Sequence, residues 1–237
     1  MGRLKYIVAA ALLVVMTSIG CGERTRPYGV ERQLALTSRT PQVWAIAPAL
    51  NLSGQAEVDP LLQGDLLYQQ LQQVQRLTVI PVNRVVEVYA GLRIEKVQSE
   101  EQAELVCDLL GCDALLVPTV TAYDPYNPPK FGATLQLFRR SGANERGGRI
   151  DARELARRAT PGEDQLLPAR PQFLQAVGMF DAANGSVRQA VIRYAQGRND
   201  PAGPLGPKEY FVSMDRYCGF VYNQLITDLL ARAGAQK

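Results

Sequence analysis

The chain has 237 residues, with 26 basic and 23 acidic side chains and not one histidine. That length suits one good-sized domain with appendages, and the missing imidazole excludes Ser-His-Asp and Cys-His catalytic pairs and removes the commonest metal ligand. Residues 1–20 hold two of the bases and none of the acids, so 24 bases face 23 acids beyond them and nothing marks a nucleic-acid footprint.

Arg3 and Lys5 form a basic start, and Tyr6 to Met16 follow without a charge. A helix needs ~20 apolar residues to cross a bilayer. The run ending at Gly20 is short for that, and it fits an export signal of basic start, apolar middle and small-residue exit. Myristoylation at Gly2 needs Ser or Thr at position 6, where Tyr6 stands. On the residues alone, an ordinary secretory signal or an uncleaved anchor stays open. The Gly20–Cys21 junction resembles the bacterial lipoprotein signal, which is cut before the cysteine, although Ser18 stands where that signal usually has Leu. The resemblance implies a signal peptide over 1–20, lipidation of Cys21 and attachment to a membrane by its acyl chains. Gly22, where Asp would favour the inner membrane, implies an outer-membrane lipoprotein facing the periplasm.

Residues 22–42 are polar, with Pro27, Gly29 and Pro41, and read as a tether. A single domain is expected over 43–237. Val43 to Leu50 is a short apolar run and predicts a buried strand, with Asn51-Leu52-Ser53-Gly54 as the loop after it. Asp59 caps a helix that carries Pro60 in its first turn. Gly64, Leu67, Tyr68, Leu71 and Val74 form its buried face, and the Gln69, Gln70, Gln72, Gln73 and Gln75 remainder is expected in water. Leu77 to Val82 is the second strand, and a short helix follows from Arg84 to Leu92.

Ser99 and Gln102 make a capping box before a helix that Gly111 ends. Asp113 to Ala122 is a third strand. Its Pro118 lacks an amide hydrogen and is expected at an edge or a bulge. A rigid turn from Asp124 to Pro129 leads into a fourth strand over Ala133 to Phe138. The Arg-rich stretch 139–170, with eight arginines and five acids, reads as a surface insertion with a short helix near 151–159. Phe173 to Phe180 is another strand. Asn184-Gly185 could turn a hairpin, but Val187, Ala190, Val191 and Tyr194 share a helical face, so a helix is expected. Tyr210 to Ala233 predicts a long closing helix. Helices alternating with short buried strands define an α/β sandwich: a mixed β-sheet packed with helices, plus a C-terminal helical extension.

The cysteines are Cys21, Cys107, Cys112 and Cys218. With Cys21 lipidated, three remain, and at most one internal disulfide can form. Bridging Cys107 to Cys112 requires Cα atoms within about 7 Å. Three small buried hydrophobes is the alternative.

"VWAIAPALNLSG", the capped helix after it, and the step Leu110-Gly111-Cys112-Asp113-Ala114-Leu115 resemble an envelope-domain family. That family comprises the amino-terminal domain of TolB, the lipoprotein LpoB and the curli-secretion lipoprotein CsgG. The resemblance spans about 43–138 and implies a TolB-like sandwich working in envelope assembly. Pore formation as in the curli branch needs ~9–11 alternating residues per strand, which the Arg-rich insertion does not offer.

Two candidate sites follow. Asn51, Ser53 and Gly54 lie between a strand end and a helix start, where α/β sheets often bind ligands, yet no phosphate-binding glycine motif is present and turn chemistry also explains them. Tyr123, Asp124, Tyr126 and Pro128 form an aromatic, rigid rim suited to a protein partner. The same tyrosines could instead pack on the sheet. Asp124, Asp151 and Glu154 show no glycosidase or Ca²⁺ spacing, so no catalytic residue, metal or cofactor is assigned. The reading is a lipid-anchored, non-enzymatic protein that binds or helps assemble an envelope component. The alternative is a cell-wall-directed enzyme or small-ligand binder using carboxylates. A homo-oligomer would show as a large apolar patch.

Overall fold

The computed structural model describes residues 34–38, 40–140, 173–198 and 203–235. Its centre is a mixed sheet. β2 (Gln42–Ile46) lies parallel to β5 (Leu77–Ile80) on one side and to β6 (Ala114–Asp124) on the other. β7 (Lys130–Arg139) and β8 (Phe173–Asp181) continue the sheet antiparallel, giving the order β5-β2-β6-β7-β8. The short β3 (Leu50–Asn51) takes over beside β6 where β2 stops. Two residues at each of β1 (Leu34–Ala35) and β4 (Val74–Gln75) make a separate parallel pair.

β1 corrects one expectation. The polar stretch read as a tether to residue 42 joins the fold eight residues earlier, with Leu36 buried in the core.

Three helices start at a side-chain cap. α1 (Pro60–Leu71) starts at Asp59, whose Oδ1 accepts from the Leu61 and Leu62 N–H groups at 2.8 and 3.3 Å. α2 spans Val82–Leu92. α3 (Glu100–Leu110) begins at Ser99, whose Oγ accepts from the Gln102 N–H, and ends at Gly111, φ 68°. Only a residue without a Cβ takes that left-handed turn at little cost. α4 (Gly185–Ala195) is capped by Asn184, so Asn184-Gly185 opens a helix and not a hairpin. The expected single closing helix is broken at Ser213, which is extended. It divides into α5 (Glu209–Val212) and α6 (Met214–Ala235).

The sheet separates two cores. On one face Trp44, Ile46, Leu116, Phe131, Leu135 and Leu137 meet α1, α4 and α6, whose Leu67, Tyr194, Tyr222 and Leu229 lie in the same cluster. On the other, Ala45, Leu115 and Val117 meet Val85 and Tyr89 of α2 and Ala103, Val106 and Cys107 of α3. The C-terminal helices therefore form part of the central core.

Two further expectations change. Gln70 is buried, as is Gln63; they accept hydrogen bonds from the Tyr194 and Tyr222 hydroxyls, each at 2.8 Å. Pro118 sits in a central strand, opposite Leu135 of β7, and the β-bulge lies further on, between Val120 and Ala122. It is tolerated because β2 pairs only as far as Leu116 and β3 resumes at Thr119, so Pro118 faces a gap in the ladder. The insertion and its expected helix lie outside the described residues.

Candidate functional site

The two loops singled out in the sequence meet at one end of the sheet. β3 holds Asn51 beside Val120, and the Leu52 N–H donates to the Val120 carbonyl at 2.8 Å. A few residues on, β6 ends at Asp124 and enters the turn to β7. The short loop at 51–54 and the aromatic turn at 123–129 are thus neighbours, although a helix, two short strands and two more helices separate them in the chain.

In the first loop the polar groups satisfy one another. Asn51 Oδ1 accepts from the Ser53 N–H at 3.1 Å and the Ser53 hydroxyl at 2.7 Å. Asn51 Nδ2 donates to the Gln55 carbonyl at 2.8 Å, and Ser53 Oγ accepts from the Gln55 N–H at 3.2 Å. Gly54 takes φ 77°. This is turn chemistry. What the loop offers outward is Leu52, 70% exposed and not singled out from the sequence, because a lone leucine in a loop carries no periodic signal.

In the second loop the two tyrosines part company. Tyr123 packs against the core, its ring edge-on to Phe131 at 6.2 Å, which makes it mainly a sheet-packing residue. Burial, with Cys218, Asp215 and Glu57 nearby, pushes its phenol above the ordinary tyrosine value. Tyr126 is 78% exposed. Asp124 Oδ1 accepts from the Tyr126 N–H at 3.1 Å and fixes the first half of the turn. The second half, which contains the Asn127–Pro128 cis peptide, is held by buried Pro129, whose carbonyl accepts from the Ala182 N–H at 2.9 Å, and by an ion pair of Lys130 with Asp181 at 3.1 Å. The Ala183 N–H and Lys130 together hold the Asp181 carboxyl below its ordinary value. The end of the sheet therefore presents an aromatic ring and Leu52 on stiff backbone.

Elsewhere, a small cleft beside α3 is lined by Glu100, Ala103, Glu104, Cys107, Phe138 and Arg139, away from both loops. Among the described residues no cluster of His, Cys, Asp or Glu is placed to hold a metal ion, and no helix is long and apolar enough to cross a membrane. Cys21, Asp151 and Glu154 lie outside the described residues. On β8, alternate residues Val177 and Met179 stand exposed on the face that α6 does not cover.

The chain is thus an α/β protein built on a mixed, helix-packed sheet. No known protein family and no curated protein matches its sequence. Solved structures similar to it include the LpoB C-terminal domain from Salmonella enterica, 11% identical, with TM-score 0.35, covering 44% of this chain and 75% of that one. Lipoprotein GNA1162 from Neisseria meningitidis is 20% identical, with TM-score 0.31, over 42% and 70% of the two chains. A hypothetical protein from Chlamydia trachomatis is 11% identical, with TM-score 0.38, over 83% and 98%.

Proposed function

We propose that this chain is a lipid-anchored, non-enzymatic adaptor of the cell envelope, held at the outer membrane through Cys21 and binding another envelope protein with the end of the sheet that carries Tyr126 and Leu52. One observation carries the reading: an aromatic side chain that is almost wholly exposed sits on a turn braced from both sides. An aromatic on pre-ordered backbone loses little entropy on binding and contributes much contact area, which is what interface centres favour. The lipoprotein-like start supports the compartment, since several acyl chains anchor stably at ~0.8 kcal/mol per buried methylene.

The test is site-specific photocrosslinking in the native envelope, with the crosslinking side chain at position 126 and, as control, at the exposed position 101 of α3. A discrete protein adduct at 126 and none at 101 is the expected result. Tyr126→Ala should abolish co-purification of that protein and change stability by no more than about 0.5 kcal/mol, as an exposed side chain does. Identical adducts at both positions, or none at 126, would refute the adaptor site. Loss of palmitate labelling in Cys21→Ser tests the anchor separately.

A further inference from the structure

The end of α3 places two cysteines together by backbone geometry. The Cys112 N–H donates to the Cys107 carbonyl at 3.0 Å, and the Gly111 N–H donates to the Asp108 carbonyl at 3.3 Å. This paired closure, with Gly111 in the left-handed conformation, brings the side chain three positions before the helix cap against the one two positions after it. In most proteins that contact is between two hydrophobes. Here it is between two free thiols, both buried in the core formed with Tyr89, Val106 and Leu115. The turn is already closed by two backbone hydrogen bonds, which hold the two residues close together, as a disulfide requires.

The approach to the pair lies on the Cys107 side. Cys107, 1% exposed, sits at the base of the small cleft formed with Glu100, Ala103, Glu104, Phe138 and Arg139, and Cys112 is 0% exposed. The neighbouring Cys112 sulfur and burial push the Cys107 thiol up, while the neighbouring Cys107 thiol holds Cys112 below its ordinary value. Arg140, paired with Asp108 at 3.1 Å, favours the thiolate form of both.

We propose that Cys107 and Cys112 are a redox pair that forms a reversible intramolecular disulfide, by exchange with a disulfide-bearing oxidant reaching Cys107 through this cleft. In the first step a thiolate of the pair attacks one sulfur of the oxidant. A new S–S bond forms, the oxidant's own S–S bond breaks, and the departing thiolate takes up the proton that the pair has shed. In the second step the other cysteine loses its proton and attacks the protein sulfur of this mixed disulfide, displacing the second thiolate, which is protonated in turn. The protein gives up two protons and two electrons, and the oxidant becomes two thiols. Cys218 is the internal control, being fully buried on α6 in the opposite core. The proposal does not rest on the adaptor reading.

The experiment equilibrates the purified full chain in mixtures of reduced and oxidised glutathione, quenches in acid, and alkylates thiols after denaturation. Trypsin cuts after Lys96 and Lys130, which leaves both cysteines in one peptide. As the mixture becomes oxidising, that peptide should lose two hydrogens and refuse the alkylating reagent, while the Cys218 peptide stays alkylated throughout. Cys112→Ser should stop at a glutathione adduct on Cys107. Two alkylated thiols in the most oxidising mixture would overturn the proposal. So would bridges between separate chains, or oxidation of Cys218 in step with the pair. The wild-type titration decides the matter even if the serine variant does not fold.

Discussion

Two tyrosines on α6 share full burial and differ in one bond, and their hydroxyls should therefore differ in sign. Tyr222 is 0% exposed; its hydroxyl donates to Gln63 Oε1 at 2.8 Å and its ring stands edge-on to Phe131 at 5.5 Å. Burial raises its phenol far above the ordinary value, so it is a neutral donor at any working pH. Tyr222→Phe keeps the ring contact and leaves the Gln63 carbonyl buried without its donor, a loss of about 1–3 kcal/mol. Gln63→Leu leaves the hydroxyl orphaned and should lose a similar amount. The double variant removes both polar groups, so it should recover at least ~1 kcal/mol of the summed loss. Tyr217 is equally buried, but its hydroxyl has no hydrogen-bond partner among the described residues. Tyr217→Phe should therefore be neutral or stabilising. Urea unfolding followed by the emission of Trp44, the only tryptophan and 1% exposed, reads all four variants. Additivity of the Tyr222 and Gln63 changes within about 0.5 kcal/mol, or a loss at Tyr217 equal to that at Tyr222, would refute the reasoning.

Three other outcomes are expected. At Gly178 a Cβ would meet the Phe180 ring at 2.5 Å and Leu225 of α6 at 3.1 Å, so Gly178→Ala should lose about 1–3 kcal/mol in the same assay. At Gly132 a Cβ would meet the Met179 methyl and the Thr121 Oγ1, each at 2.8 Å; both side chains are exposed and can turn aside, so Gly132→Ala should lose clearly less. Asp181 has its folded carboxyl value depressed, so its stabilising contribution is complete above the unfolded aspartate value and fades as pH falls through the lower folded one. Urea midpoints measured between about pH 5 and pH 3 should thus decline less steeply in Asp181→Asn than in wild type. Deleting Thr121 should be tolerated, with the Trp44 signal lost at nearly the wild-type urea midpoint, because Ala122, Tyr123 and Asp124 keep their β7 partners and faces once the extra residue is gone.

Local signals made most of the elements legible. Apolar runs marked β2 and β6 because a parallel strand covered on both faces shows no alternation. Asp59, Ser99 and Gly111 marked helix ends because capping is decided within a few residues, whereas Asn184-Gly185 reads equally as a hairpin turn and only the shared face of Val187, Ala190, Val191 and Tyr194 pointed to the helix after it. What escaped depends on distant partners. Gln63 and Gln70 look like solvent-facing polar residues until Tyr222 and Tyr194, 159 and 124 positions away, supply their donors. β1 and β4 are too short to carry a pattern, and the gap that accommodates Pro118 exists only once β3 pairs with β6. In the candidate site, the sequence marked a turn with two tyrosines and could not tell the packed one from the exposed one.

That separation comes from one inserted residue. Up to Val120, the even-numbered residues of β6 face the core with α6, as Leu116 and Val120 do. Val120 pairs with Ala133 and Ala122 with Gly132, so Thr121 is an extra residue and the parity changes after it. Odd-numbered Tyr123 then takes the inward place, in register with Phe131. In an unbulged strand Ala122 and Asp124 would occupy those inward places, and an unpaired carboxylate in that core would cost several kcal/mol. The bulge thus does three things together. It hides Tyr123, it keeps Asp124 outside where its Oδ1 takes the Tyr126 N–H, and by fixing that turn it lifts Tyr126 into solvent. A threonine followed by an alanine suits a regular strand equally well, so the exposed ring that carries the adaptor reading depends on backbone pairing that composition does not announce.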